Sequence, residues 1–222
     1  MKKGMIALLV LLTGIFMTAC GEEKEYSAER YHEIMESETA KYYYKASVES
    51  IYYDMGEDTE KSLKAEARDG KGNWVIATGT EELDTREIEL GDYFYTVFDP
   101  DKEYTKEKKA EEESVELTYA GTSEMKLAGK TYKYDEYRDE FEMEWYGEEG
   151  EAPVKEKYLY IKRYLLDEQG KLYGILYRQE QEVGDGQKNK PIYQSLERIS
   201  EFEENSFPDE IFQIPDTYKE VK

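Results

Sequence analysis

Hydrophobic and polar positions along this chain repeat with two different periods. Between residues 27 and 41 (SAERYHEIMESETAK), apolar side chains fall at Tyr31, Ile34 and Met35, with Ala28 as a weaker member. Spacings of three and four put them on one helix face, and Ser27 suits the N-cap position. Beyond this point the period changes to two. Residues 62–68 alternate cleanly, with Leu63, Ala65 and Ala67 on one side and Ser62, Lys64, Glu66 and Arg68 on the other. Similar segments fall at 42–53, 73–79, 87–90, 93–98, 114–120, 130–137, 140–146, 157–166, 171–180 and 192–202, separated by turn clusters such as Asp69-Gly70-Lys71-Gly72 and Asp167-Glu168-Gln169-Gly170. This spacing predicts an antiparallel meander. Residues 102–113 (KEYTKEKKAEEE) carry no apolar face beyond Tyr104 and read as a solvated helix or loop. The Pro-punctuated tail 207–218 reads as a segment along a sheet edge.

About ten strands and one helix give an α+β fold with one large antiparallel sheet. A sheet of that size twists and must cover one face, so it curls into an incomplete β-barrel. The N-terminal helix and one or two short covering helices or loops would lie over it. No internal repeat and no second-domain boundary interrupts residues 28–222.

The first residues follow a different logic. Lys2 and Lys3 precede 14 uncharged residues (5–18, MIALLVLLTGIFMT), too short a run for a comfortable membrane span but right for the hydrophobic region of an export signal. Met17-Thr18-Ala19-Cys20-Gly21 follows, and the pattern resembles a bacterial lipoprotein signal. The resemblance implies cleavage after residue 19, a diacylglycerol anchor on Cys20, and a polar tether over residues 20–27. Two acyl chains hold stably where one is marginal. The body would then sit on the outer face of the cell membrane.

Composition sharpens this picture. The 222 residues include 52 acidic and 30 basic side chains, a formal charge of −22. Loss of Lys2 and Lys3 with the signal takes it to −24. Nucleic acid and anionic lipid head groups both call for the opposite excess, so neither is an expected partner. The 22 tyrosines supply enough aromatic mass for a core. The single Cys excludes an internal disulfide.

Candidate chemistry is sparse. His32 is the lone His and falls in the predicted helix, where packing is the expected role; no Ser occupies a nucleophile-elbow setting. One His and one lipidated Cys cannot build a zinc site. Glu140, Glu142 and Glu144 alternate with Phe141, Met143 and Trp145, which reads as a solvated strand face opposite a buried one. Asp99-Pro100-Asp101-Lys102-Glu103 and Asp54-Met55-Gly56-Glu57-Asp58 lack the Gly and Glu positions of a helix-loop-helix calcium loop. The expectation is a non-enzymatic protein without metal or cofactor.

Three stretches resemble the lipoprotein-carrier (LolA/LolB-like) superfamily, in its lipid-anchored form from Gram-positive bacteria. They are YFYTVFDPDKEY (93–104), GKTYKYDEY (129–137) and FQIPDTYKEV (212–221), together with DEQGKL (167–172). The resemblance implies an incomplete barrel with a helical lid and a concave apolar surface for an acyl chain. The functional expectation is a lipoprotein that binds a lipid or other apolar ligand on the concave face. The alternative is a structural or protein-interaction lipoprotein whose groove is filled by its own side chains.

Overall fold

The computed structural model describes residues 28–110, 116–145, 154–183 and 187–221. In chain order these form helix α1 (Ala28–Glu36), then β1 (Lys41–Tyr52), β2 (Asp58–Asp69), β3 (Trp74–Gly79), β4 (Thr85–Leu90), β5 (Tyr93–Phe98) and β6 (Glu103–Lys108). Next come β7 (Thr118–Leu127), β8 (Lys130–Trp145), β9 (Val154–Leu166), β10 (Leu172–Gln181) and β11 (Lys190–Glu204). A 3-10 turn (Asp209–Phe212) and β12 (Lys219–Glu220) end the chain.

All twelve strands join one sheet in the order β12-β6-β5-β4-β3-β2-β1-β11-β10-β9-β8-β7. Every pairing is antiparallel except the short parallel contact of β12 with β6. The sheet is large, open and curved, and it does not close into a barrel.

Connectivity explains the curl. Strands β6 and β7 are consecutive in the chain but lie ten places apart in the sheet. A flat sheet would separate them by about 48 Å. The ten peptide steps from Lys108 to Thr118 reach at most about 36 Å. The two ends of the sheet must therefore approach each other. Leu117, at the end of that link, packs into the same cluster as α1, so the curl is toward the helix side.

Each face carries its own core. On the concave face, Ala28, Tyr31 and Met35 of α1 pack on Tyr42, Tyr44, Tyr137, Tyr164, Leu172 and Ile175. On the convex face, Phe207, Ile211, Phe212, Ile214 and Tyr218 of the C-terminal tail cover Ala65, Ala67, Val75, Ala77, Ile88 and Val97. The small side chains at 65, 67 and 77 leave the room that the tail fills, as close packing requires. Strand β1 starts between the two cores, so Tyr42, Tyr43 and Tyr44 are all buried although they alternate faces.

Several expectations change. The helix is shorter than 27–41. The expected strands 130–137 and 140–146 are one continuous β8. Residues 103–108 form a strand, because the Lys106 stem lies across the rings of Tyr93 and Tyr95 and gives an outwardly polar segment an apolar side. Its ammonium sits 4.0 and 5.6 Å from the two ring centroids. The tail crosses the convex face and reaches the sheet edge only at β12.

Candidate functional site

The concave face holds an ionic cluster built on the charged side of the 62–68 alternation. Lys64 and Glu66 point to this face, in register with Ala46 and Tyr44 of β1. From β11, Glu197 joins them across the intervening strand. The Lys64 ammonium lies 2.8 Å from Glu197 Oε1 and 3.0 Å from Glu66 Oε2. Tyr42 donates to Glu66 at 2.5 Å. The Tyr44 hydroxyl lies 2.8 Å from Glu66 and 2.9 Å from Glu197. A phenol has one hydrogen to donate, so the Lys64 ammonium holds the two carboxylates together.

Burial pushes the Glu66 carboxyl up, but the Lys64 ammonium and the hydrogen bonds from Tyr42, Lys64 and Tyr44 outweigh it and set its pKa at about 2. Burial pulls Lys64 down, and the two carboxylates more than restore it. Tyr44 and Tyr177 are held well above the usual phenol range, by burial first and by Glu66 and Glu197 second. Glu66, Lys64, Tyr44 and Tyr177 are thus all displaced away from neutral pH.

A second ion pair ties α1 to the same surface. Lys162 of β9 lies 2.5 Å from Glu36, and the Tyr164 hydroxyl donates to Glu36 at 3.1 Å. The Tyr177 ring stands between the two lysines, 5.9 Å from the Lys64 ammonium and 5.4 Å from that of Lys162. Beyond the helix, the concave face continues as paired rings, Tyr52 with Tyr193 at 5.1 Å and Phe141 with Tyr158 at 5.6 Å. Ser50 and Ser195, both buried and linked at 3.3 Å, lie one row in from the Tyr52–Tyr193 pair, toward the ionic cluster.

The sequence-derived candidates fall elsewhere. Cys20, and with it the signal, anchor and tether, lies outside the described residues. His32 stacks on Tyr137 with ring centroids 3.6 Å apart and meets Tyr164 edge-on at 5.7 Å. Its Nδ1 is buried without a hydrogen-bond partner among the described residues. Glu140 and Glu142 lie on the convex side of β8. Opposite them Phe141 is half-buried, while Met143 is 37% exposed, so that face is covered only in part. Asp99 serves a structural ion pair with Arg86. Among the described residues no group of three His, Cys, Asp or Glu side chains is placed to hold a metal ion.

Two surface hollows, of about 410 and 320 Å³, are lined largely by charged and polar convex-face residues, including Glu140, Glu142, Lys157 and Glu182 in the first and Glu49, Lys61 and Arg198 in the second. The first also includes Phe141, Tyr158 and Leu159, and the second Val48 and Leu63. On the concave face Tyr42, Tyr44 and Tyr164 are almost fully buried and build the core, while Tyr52, Tyr160, Tyr177 and Tyr193 are half-buried.

No protein-family model matches the chain, and no curated protein matches it. Among solved structures, the crystal structure of an uncharacterized conserved protein from Thermus thermophilus is similar over 87% of this chain and 98% of that one, at 11% identity and a TM-score of 0.45.

Proposed function

We propose that this chain is a lipid-anchored lipoprotein of the outer face of the cell membrane, attached through Cys20, and that its curved sheet is a non-enzymatic protein-interaction module. The observation that carries the second half is the Lys64–Glu66–Glu197 cluster across the middle of the concave face. These charges already sit largely out of water and satisfy one another, so the middle of the face is a closed polar network and not a continuous apolar bed for an acyl chain. A protein partner brings its own polar groups. The first half rests on the short apolar run, its basic flank and the placement of the only Cys after it.

Features that support the family reading are the open curved sheet and the helix on its concave side. A second reading, an apolar ligand, is favoured by the helix-free Tyr52–Tyr193 and Phe141–Tyr158 ring pairs.

Mass spectrometry of the protein extracted from membranes tests the anchor and the cargo together. A mass consistent with cleavage before Cys20 plus a diacylglycerol adduct, and no bound lipid, is the expected result. Cys20→Ser should release the protein or leave an unprocessed precursor; unchanged detergent partitioning and mass would defeat the anchor. Co-purifying lipid would favour the second reading. Photo-crosslinking in intact cells then reports the partner.

A further inference from the structure

Charge is sorted between the two faces of strands β3–β6. Register places Trp74, Ile76 and Thr78 of β3 beside Glu89, Glu87 and Thr85 of β4, then Phe94, Thr96 and Phe98 of β5, then Glu107, Thr105 and Glu103 of β6. These positions continue the face of Glu66 and Lys64, so they lie on the concave side. Four are large apolar residues, four are threonines and four are glutamates; none is basic. The basic residues of the same strands, Arg86, Lys106 and Lys108, all alternate to the convex side.

This concave strip is accessible. Phe98 is 36% exposed, Glu87, Thr78 and Glu107 are exposed, and Trp74, Ile76 and Phe94 are half-buried. Among the described residues, neither Trp74 nor Phe94 joins any of the buried core clusters. The basic residues at its border are engaged: Lys64 with Glu66 and Glu197, and Arg68 beside the Tyr42 hydroxyl. The chain itself supplies one example of what the strip accepts, since the Lys109 ammonium pairs with Glu89.

We infer that the concave face of β3–β6 is the docking surface for a basic, apolar-studded segment of a partner protein. The inference rests on the interaction-module reading and names the partner's chemistry. Rings and Ile76 would take aliphatic or aromatic side chains, while Glu87, Glu103 and Glu107 would take lysine or arginine heads, with cation–π contact to Trp74 adding to the fit. A bare metal ion does not suit carboxylates held on two strands, β4 and β6, with β5 between them. An anionic lipid surface has the wrong sign.

The full chain, purified from membranes in mild detergent with Trp145→Phe so that Trp74 alone reports, is titrated with a twelve-residue peptide alternating Lys and Val. The expected result is a saturable change in Trp74 emission that the Glu-for-Lys peptide does not produce. Glu87→Gln with Glu103→Gln should weaken binding at least tenfold. Glu140→Gln with Glu142→Gln, the same charge change on the convex side, should weaken it less than threefold. An unchanged Trp74 signal in folded protein would overturn the inference. So would equal weakening by both pairs, which would mean attraction to net charge alone. A partner crosslinked in cells through another surface would leave the interaction module standing and retire this strip.

Discussion

The Arg86 guanidinium grips both carboxylate oxygens of Asp99, with Nε to Oδ2 at 2.8 Å and Nη2 to Oδ1 at 2.7 Å. Its remaining terminal nitrogen, Nη1, donates to the carbonyl oxygens of Ile211 and Gln213 at 3.1 and 2.8 Å. Tyr218, further along the tail, donates to Asp99 at 3.0 Å. One nearly buried side chain therefore fastens the C-terminal tail over the convex core.

Arg86→Met should cost about 3 kcal/mol, because it strands a partly buried carboxylate and removes the donors to the tail carbonyls. Urea denaturation reads the loss, and hydrogen exchange should rise first at residues 211–214. Arg86→Lys should recover little, since an ammonium cannot make the two-pronged contact with Asp99.

Lys64→Met should destabilise by about 3 kcal/mol, since Glu66 and Glu197 then face each other without a cation. Replacing Lys64, Glu66 and Glu197 together by apolar residues of similar volume should restore most of that stability. An additive loss in the triple variant would contradict the network as drawn.

Acid should erode the same cluster. The Glu66 carboxyl has its ordinary value of 4.5 in the unfolded chain and about 2 in the fold. A depressed carboxylate stabilises above the unfolded value and loses that contribution as pH falls toward the folded one. Thermal melts between about pH 4.5 and 2 should show the decline, and Glu66→Gln should flatten its share of it.

His32 titrates in a higher window. Burial lowers its pKa below 6.5, opposed in part by Glu36. The folded state therefore disfavours the charged ring, and stability present above pH 6.5 falls as pH drops from there toward the folded value. His32→Phe keeps the stack on Tyr137 and removes the titration, so its melting temperature should be flat across that window where the parent's declines.

Gly174 sits where β10 meets β11, and a Cβ there would lie 2.5 Å from the carbonyl oxygen of Glu197. Gly174→Ala should push the strands apart and cost on the order of 2 kcal/mol. Because Glu197 belongs to the ionic cluster, the variant should also shift the acid transition, which a pH-dependent melt would detect.

Much of the sheet was legible because local alternation is decided by neighbours two apart. The stretch 62–68 announced its two faces, and the turn at residues 167–170 announced the hairpin of β9 and β10. Residues 103–108 misled because their apolar side includes a lysine stem lying on rings supplied by β5. The ionic cluster was invisible for a related reason: alternation puts Lys64 and Glu66 on one side of β2, but their partner Glu197 lies 133 residues along the chain from Lys64 and meets them only through β11.

By itself the chain determined its strand periods, its acidic balance and the expectation of an acyl anchor at position 20, all set by short-range composition and order. Tertiary structure alone decided which side of each strand is wet. The link between β6 and β7 is too short for a flat sheet, so the sheet curls, and curling brings distant strands within ion-pair range. The tyrosines of β1 are buried between two cores for the same reason, because the covering of each face depends on where the helix and the tail come to rest.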